Sequence, residues 1–213
     1  ALDELVEKFS DMTPEERGEV PGIKSERGDL ILAGAVAVQS VMELGGFDAL
    51  EVTEAGLREG VFYSTLLEGR DPPLFEDVRR DSVLNLAATY ETDFAHAEHV
   101  ARLALGMWDA LGEAEAHPRD PRERELLWAA SMLHDIGTAV DYDDHHKHSR
   151  YLILNAGLPG FSPRETALIG QIARYHRKGT PTVGQFSALA RKGDEKLLAR
   201  CAAVLRLAEQ LER

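Results

Sequence analysis

The residues of this chain that are best suited to chemistry are histidines and carboxylates, and they are concentrated between His134 and His148. His134 and Asp135 are adjacent, and a run rich in both residue types follows them: Asp141, Asp143, Asp144, His145, His146 and His148. Histidine nitrogens and carboxylate oxygens suit iron, manganese, zinc and, more weakly, magnesium. The sequence therefore indicates a divalent metal site. The alternative is a buried His–Asp pair followed by a solvated loop.

An apolar run places the His–Asp pair inside the fold. Residues 126–133 are almost entirely apolar and have no clean amphipathic face, which predicts a helix that is buried on most sides. Gly137 predicts the end of that helix just beyond the pair. An imidazole and a carboxylate are thus expected at the end of a buried helix.

Other helical patterns carry further candidate ligands towards the same core. His96 falls on the apolar stripe of a helix predicted over residues 94–111. His176 belongs to a helix that starts at a capping box at Ser162, and Glu209 borders the apolar stripe of the last helix. Taken alone, each histidine is more often a hydrogen-bonded core residue. Together the patterns predict a metal group formed by His96, His134, Asp135 and Glu209. A second ion or a phosphate is expected nearby, held by His176 and by His148 or a neighbour in the loop after the pair.

Composition limits the possible partners. The formal net charge of −13 and the pI near 5.0 argue against binding to nucleic acid or to anionic membranes. A polyanionic substrate would have to meet a local basic patch or a metal ion. Cys201 is the single cysteine, so no disulfide framework exists and a cytoplasmic location is expected. No apolar run approaches the roughly 18 residues of a membrane span, and no signal peptide is evident.

Glycine and proline residues divide the chain at about positions 69–73. Before this boundary we predict a long apolar helix over residues 30–44, capped by Asp29, and a short strand within residues 47–53. This is the pattern of a partial α/β unit in residues 1–70. After it no convincing strand appears, so residues 71–213 are predicted to form an all-helical bundle of about six helices.

The order of these ligands resembles the metal-binding series of HD-domain phosphohydrolases. Residues 96–101 resemble the opening H-x-x-x-V-A of that superfamily, and residues 133–137 resemble its His–Asp motif. The last position departs from the superfamily, because Ala208-Glu209 stands where Ala-Asp is usual. The resemblance implies that the His–Asp pair and the distant ligands hold one or two divalent ions (Mg, Mn, Fe or Zn).

The chain more specifically resembles the C-terminal part of the exopolyphosphatase/guanosine-pentaphosphatase (Ppx/GppA) family. Residues 145–149, 175–179 and 207–211 resemble its helical domain, and residues 26–35 with 52–60 resemble the end of its second actin-like domain. The resemblance implies hydrolysis of terminal phosphoanhydride bonds of polyphosphate or pppGpp. It also implies that the catalytic glutamate and the phosphate loops lie upstream of Ala1, so no catalytic residue is assigned here.

Two functional hypotheses follow from the resemblance. In the first, the helical domain serves a phosphohydrolase in dimerisation and polyanion binding, with Arg174, Arg177 and Lys178 as phosphate ligands. For any one of these three, a solvated helix end is the more common role. In the second, the domain is itself a metal-dependent phosphohydrolase.

A homodimer is expected, because the apolar helix over residues 30–44 lacks the rest of its sheet. A weaker third hypothesis is an interaction module in which the histidine cluster is incidental.

Overall fold

A computed structural model describes residues 2–50, 52 and 56–212 of the chain. The described residues are mainly helical, and their contacts divide the chain into two compact units, Ala1–Leu66 and Leu67–Arg213. None of the described helices combines the length and hydrophobicity that a membrane crossing requires.

The first unit contains four α-helices within the described residues: α1 (Leu2–Ser10), α2 (Pro14–Gly18), α3 (Ile31–Gly45) and α4 (Leu57–Leu66). The pattern Thr13-Pro14-Glu15-Glu16 is typical of a capping box, and the structure forms one: the Thr13 hydroxyl accepts from the Glu16 N–H, and the Glu16 carboxylate accepts from the Thr13 N–H. The cap predicted at Asp29 is wrong. Leu30 precedes α3 instead, and no side chain caps that end.

The strand predicted within residues 47–53 is not formed by the residues of that segment that the structure describes. Phe47–Leu50 and Val52 have no regular structure, and Glu51 and Thr53 lie outside the described residues. A strand requires a neighbouring strand for its backbone hydrogen bonds, and no described segment of this chain is extended beside it. Helix α3 has no buried residue, and Leu44 is 91% exposed.

The second unit contains six α-helices within the described residues, as predicted: α5 (Val78–Thr89), α6 (Phe94–Glu113), α7 (Pro121–Leu133), α8 (His145–Ala156), α9 (Pro163–Tyr175) and α10 (Asp194–Glu212). The capping box at Ser162 is confirmed. Helix α7 begins earlier than the apolar run suggests, because Asp120 caps it and Pro121 occupies its first turn.

Helix α7 lies at the centre of this unit and packs against α5, α6, α9 and α10. Leu127, Ala129, Ala130 and Leu133 are fully buried, which confirms the prediction of a helix covered on most sides. The core around α7 consists mainly of leucine, isoleucine, valine and alanine. The residues that follow Leu133 are therefore held at a fixed place in the interior.

The loop predicted to carry His148 is instead the first turn of α8. A 3-10 turn, Ile136–Ala139, lies between α7 and this helix. The Gly137 N–H donates to Ser149 Oγ at 2.9 Å, so the turn is fastened to α8. A Cβ on Gly137 would lie 2.2 Å from His145 O and 2.3 Å from Ser149 N, so only glycine fits there.

We expect Gly137→Ala to destabilise the helical unit by about 1–3 kcal/mol, because the methyl group would displace the α8 backbone. Gly106→Ala is the matched control. Gly106 is exposed within α6, and a Cβ added there would meet no atom within 4 Å, so alanine should stabilise the chain by about 0.5–1 kcal/mol. Urea denaturation measures both changes. Equal stability of the two variants would contradict the close approach.

Candidate metal centre

The first group of candidate ligands joins α6, the end of α7 and α10. His96 Nε2 lies 3.3 Å from His134 Nε2 and 3.8 Å from Asp135 Oδ2. Glu209 Oε2 lies 3.3 Å from His96 Nε2 and 3.2 Å from His134 Nε2. The structure thus brings together the four residues His96, His134, Asp135 and Glu209. His96, His134 and Asp135 alone already have one ligand atom each within 4.8 Å of the others.

The second group shares Asp135 and adds the start of α8 and the end of α9. Asp135 Oδ1 lies 3.2 Å from His145 Nε2 and 3.6 Å from His176 Nε2. The two imidazoles lie 3.2 Å apart between their Nε2 atoms and are stacked. Asp135 therefore faces both groups with one carboxylate.

Main-chain carbonyls orient three of the imidazoles. Each ring uses Nδ1 to contact the carbonyl three residues earlier: His134 to Ser131 at 2.7 Å, His145 to Tyr142 at 2.9 Å and His176 to Ala173 at 2.6 Å. A carbonyl only accepts hydrogen bonds, so Nδ1 carries the proton in each ring. The Nε2 atoms are therefore the ones directed into the cluster, as metal ligation requires.

The distances within the cluster fit divalent ions. Two ligand atoms at 2.0–2.1 Å from a tetrahedral ion are separated by about 3.3 Å. The Nε2–Nε2 separations of 3.3 Å and 3.2 Å are close to that value. Asp135 Oδ1 is buried and has no hydrogen-bond partner among the described residues, although three imidazoles surround it. A cation would compensate that oxygen.

The charges in the cluster keep Asp135 ionised, as a ligand must be, but they shift the pKa values of the histidines in opposite directions. Burial raises the pKa of Asp135, but the neighbouring His145, His134 and His176 outweigh it and hold the pKa well below its usual range. Burial lowers the pKa of His176 to about 3. Burial also lowers the pKa of His134, but Glu209 and Asp135 raise it overall. Asp135 also raises the pKa of His145, against the effect of burial. His134 and His145 are therefore the rings whose extra proton a cation would displace.

His148 is not part of either group within the described residues. His145, three residues earlier, lies beside His176 and Asp135 instead, since α8 turns its first residue inward. The sequence pattern allows a neighbour of His148 in this role but does not single out His145, because the segment is interpreted as a loop, where no helical face can be assigned. A helix starting at His145 would have placed His145 and Ser149, four residues apart, on one face.

A second residue missed from the sequence is Glu212. His96 Nδ1 lies 3.1 Å from Glu212 Oε2, so a carboxylate orients this ring where carbonyls orient the others. Glu212 is three residues after Glu209 on α10, and that spacing was the available signal. Such partners fix the orientation and basicity of a ligating histidine.

The three predicted phosphate ligands lie around the end of α9. Lys178 Nζ is 3.2 Å from Asp144 Oδ1, and both side chains are well exposed. The Arg177 guanidinium is 5.9 Å from the Tyr142 ring centroid, and that of Arg174 is 5.4 Å from the Tyr175 ring centroid. Their role in phosphate binding stays a prediction.

Comparison with protein families identifies the chain. Residues 78–213 match the model of Ppx/GppA phosphatase, domain III, and residues 1–69 match that of the Ppx/GppA phosphatase family. The chain belongs to the Ppx/GppA phosphatase family. The family resemblance predicted from the sequence is thereby confirmed.

Several curated relatives are named guanosine-5'-triphosphate,3'-diphosphate pyrophosphatase. The protein of Vibrio vulnificus (strain YJ016) is 31% identical over 180 residues, which cover 84% of this chain and 35% of the relative. That of Pseudoalteromonas translucida (strain TAC 125) is 30% identical over 171 residues, covering 80% of this chain and 33% of the relative. The chain thus spans about a third of the length of these relatives.

The buried His176 predicts a dependence of stability on pH. Its pKa of about 3 in the folded chain lies below the usual 6.5, so the folded state binds fewer protons between those values. In the presence of a chelator, the free energy of unfolding should therefore fall as the pH drops from 6.5 towards 3, by up to about 1.4 kcal/mol per pH unit.

In the variant His176→Gln, the free energy of unfolding should depend less steeply on pH, because the His176 contribution is gone. In His148→Gln the dependence should be unchanged, because His148 lies outside the cluster. Urea denaturation at a series of pH values gives the slopes directly. An unchanged slope in His176→Gln would show that another group is responsible.

Proposed function

We propose that the chain is the C-terminal part of a cytoplasmic hydrolase that cleaves terminal phosphoanhydride bonds of pppGpp, inorganic polyphosphate or both. Membership of the Ppx/GppA phosphatase family and the names of the relatives support this proposal. In it, the first unit is the edge of an actin-like domain. The catalytic glutamate and phosphate loops are assigned upstream of Ala1 by the family resemblance.

The helical unit is proposed to bind divalent ions and the substrate polyanion. The observation that carries this role is the position of Asp135, whose buried Oδ1 has no hydrogen-bond partner among the described residues and faces histidines of both groups. His96, His134, Asp135 and Glu209 would hold one ion. Asp135, His145 and His176 would hold a second. The histidine-rich donor set suits Mn, Fe or Zn better than Mg.

The chemistry available to the site follows from its charges. A bound divalent ion neutralises phosphate oxygens and lowers the pKa of coordinated water. Asp135 and Glu209 remain ionised because the neighbouring histidines outweigh burial and lower their pKa values below the usual range. In a chain with a net charge of −13, these residues attract a phosphate only through the cations they hold.

The second candidate is a metal-dependent phosphohydrolase that works with the helical unit alone. It is favoured by the sharing of Asp135 between two ligand groups, an arrangement that suits a pair of ions acting on one phosphate. The two candidates differ in where hydrolysis occurs. Release of phosphate from pppGpp by the metal-loaded chain would favour the second candidate if the variant Asp135→Asn abolishes that release.

The metal proposal predicts the effect of Asp135→Asn. Because Asp135 faces both groups, its replacement should abolish binding of Mn²⁺ or Zn²⁺ at both sites, as measured by calorimetry and by elemental analysis of dialysed protein. His148→Gln is the control, and its binding should equal that of the unaltered chain. Glu212→Gln should weaken metal binding about 10–100-fold rather than abolish it, because Glu212 orients His96 and does not itself bind the ion.

A chain that takes up no transition metal under these conditions would contradict the metal role. The proposal of hydrolysis upstream would be tested separately, by phosphate release from pppGpp and polyphosphate with the whole parent protein.

The proposal also includes a homodimer. Within the described residues, α3 exposes Val41 and Leu44, and α10 exposes Leu207 and Leu211. Apolar surface of this kind favours association. Light scattering at micromolar concentration should give twice the 23.5 kDa mass of the chain. A mass equal to that of one chain would count against the dimer.

A further inference from the structure

The segment between the 3-10 turn and α8 exposes an aromatic ring beside the second ligand group. Residues 140–143 have the sequence Val-Asp-Tyr-Asp, and all four are exposed. Tyr142 is 65% exposed and Val140 is 57% exposed. Asp141 and Asp143 flank the ring in the chain. An uncovered ring at the border of a polar site suits a ligand that brings a flat, uncharged group to it.

The position of this ring is fixed relative to the metal centre. The carbonyl oxygen of Tyr142 accepts a hydrogen bond from His145 Nδ1 at 2.9 Å, and the ring centroids of the two residues lie 5.6 Å apart. Asp141 Oδ1 accepts from the Asp143 N–H at 2.9 Å, which holds the turn around Tyr142. His145 Nε2 in turn faces Asp135. A ligand on the ring therefore lies next to the ion that the second group would hold.

The surroundings of the ring favour an uncharged group over a phosphate chain. The guanidinium of Arg177 lies 5.9 Å from the Tyr142 ring centroid, and most of the tyrosine remains open to solvent. On either side of Tyr142 in the chain, Asp141 and Asp143 carry negative charge, which disfavours phosphate on the ring itself. Carboxylates accept hydrogen bonds from N–H groups, and a nucleobase carries such groups at its edge.

We infer that Tyr142 stacks on the base of a guanine nucleotide whose phosphates lie at the metal centre. Every nucleobase has a flat π face that stacks on an aromatic ring. Guanine also carries an exocyclic amino group that donates hydrogen bonds, and the flanking carboxylates are acceptors only. The inference rests on the proposed function and deepens it, because it makes the guanine nucleotide, rather than polyphosphate, the ligand that the helical unit selects.

The metal centre alone cannot separate these two ligands. Both present phosphate oxygens to the ions, so a difference in affinity has to come from a contact outside the metal centre. Only the nucleotide carries a base for such a contact. Tyr175, at the end of α9, is buried, whereas Tyr142 is exposed beside His145. Tyr142 is therefore the ring that determines the specificity.

The test compares two ligands with three phosphates each, the non-hydrolysable β,γ-imido analogue of GTP and tripolyphosphate. In calorimetric titrations of the Mn²⁺-loaded chain, Tyr142→Ala should bind the GTP analogue about tenfold or more weakly, because the stacking is lost. Its affinity for tripolyphosphate should be unchanged, since the main chain of Tyr142 still orients His145. Tyr142→Phe keeps the ring and should bind both ligands as the unaltered chain does. Tyr151→Ala is the matched control, because Tyr151 lies further along α8 and is 62% exposed.

A fluorescence measurement reports the stacking directly. In Tyr142→Trp, the GTP analogue should quench the emission that the new indole adds, and tripolyphosphate should not. The β,γ-imido analogue of ATP should bind more weakly than the GTP analogue, and Asp143→Asn should narrow that difference, because the carboxylate accepts from the guanine amino group. Equal affinity for the two nucleotides would overturn the assignment of guanine.

Equal affinity of the unaltered chain for the GTP analogue and tripolyphosphate would overturn the inference. An equal loss in Tyr142→Ala and Tyr151→Ala would overturn it as well. Asp135→Asn separates it from the proposed function, because this variant should weaken both ligands together. If metal uptake is normal and Tyr142→Ala has no effect, the base contact alone fails. If the chain takes up no metal but still binds the GTP analogue through Tyr142, the metal role fails and the base contact stands.

Discussion

The helical unit depends on one electrostatic constraint, which is the burial of Asp135 Oδ1 in a carboxylate surrounded by four histidines. A carboxylate that leaves water without compensation is costly. Besides the adjacent His134, three other helices supply the compensation, with His96 from α6, His145 from α8 and His176 from the end of α9. Because α7 is packed on most sides, the position of Asp135 is fixed, and Oδ1 stays buried although the side chain as a whole is 28% exposed. The surrounding helices have to present their imidazoles to it.

Helix ends orient these imidazoles. His134 and His176 follow the last residues of α7 and α9, where backbone carbonyls lack partners in the next turn. Each ring donates from Nδ1 to the carbonyl three residues earlier, so one hydrogen bond both satisfies a helix end and turns Nε2 towards Asp135. His145 does the same with Tyr142 O just before α8. The geometry of the cluster is therefore a consequence of where the helices stop and start.

Because the cluster geometry depends on where helices begin and end, only some of its features could be predicted from the sequence. Thr13, Ser162 and the stripe containing His96 are local signals, and the structure confirms them because caps and periodicity act within one or two turns. The start of α8 was not predictable in that way. Asp144 adopts a left-handed conformation with φ 57, which no residue pattern around it indicates. The strand within residues 47–53 and the contact of His96 with Glu212 depend on distant segments, so local patterns could not decide them.

The net charge of the chain finally limits how a polyanion can approach it. Lys147 and Lys178 both pair with Asp144 near the second ligand group, so this one carboxylate offsets only one of their two charges. Within the cluster itself Asp135 and Glu209 are ionised, so without a cation these two carboxylates repel a phosphate. Bound divalent ions would reverse that sign locally. A phosphate that approaches the cluster would therefore depend on the cations held there, rather than on the net charge of the chain, which is −13.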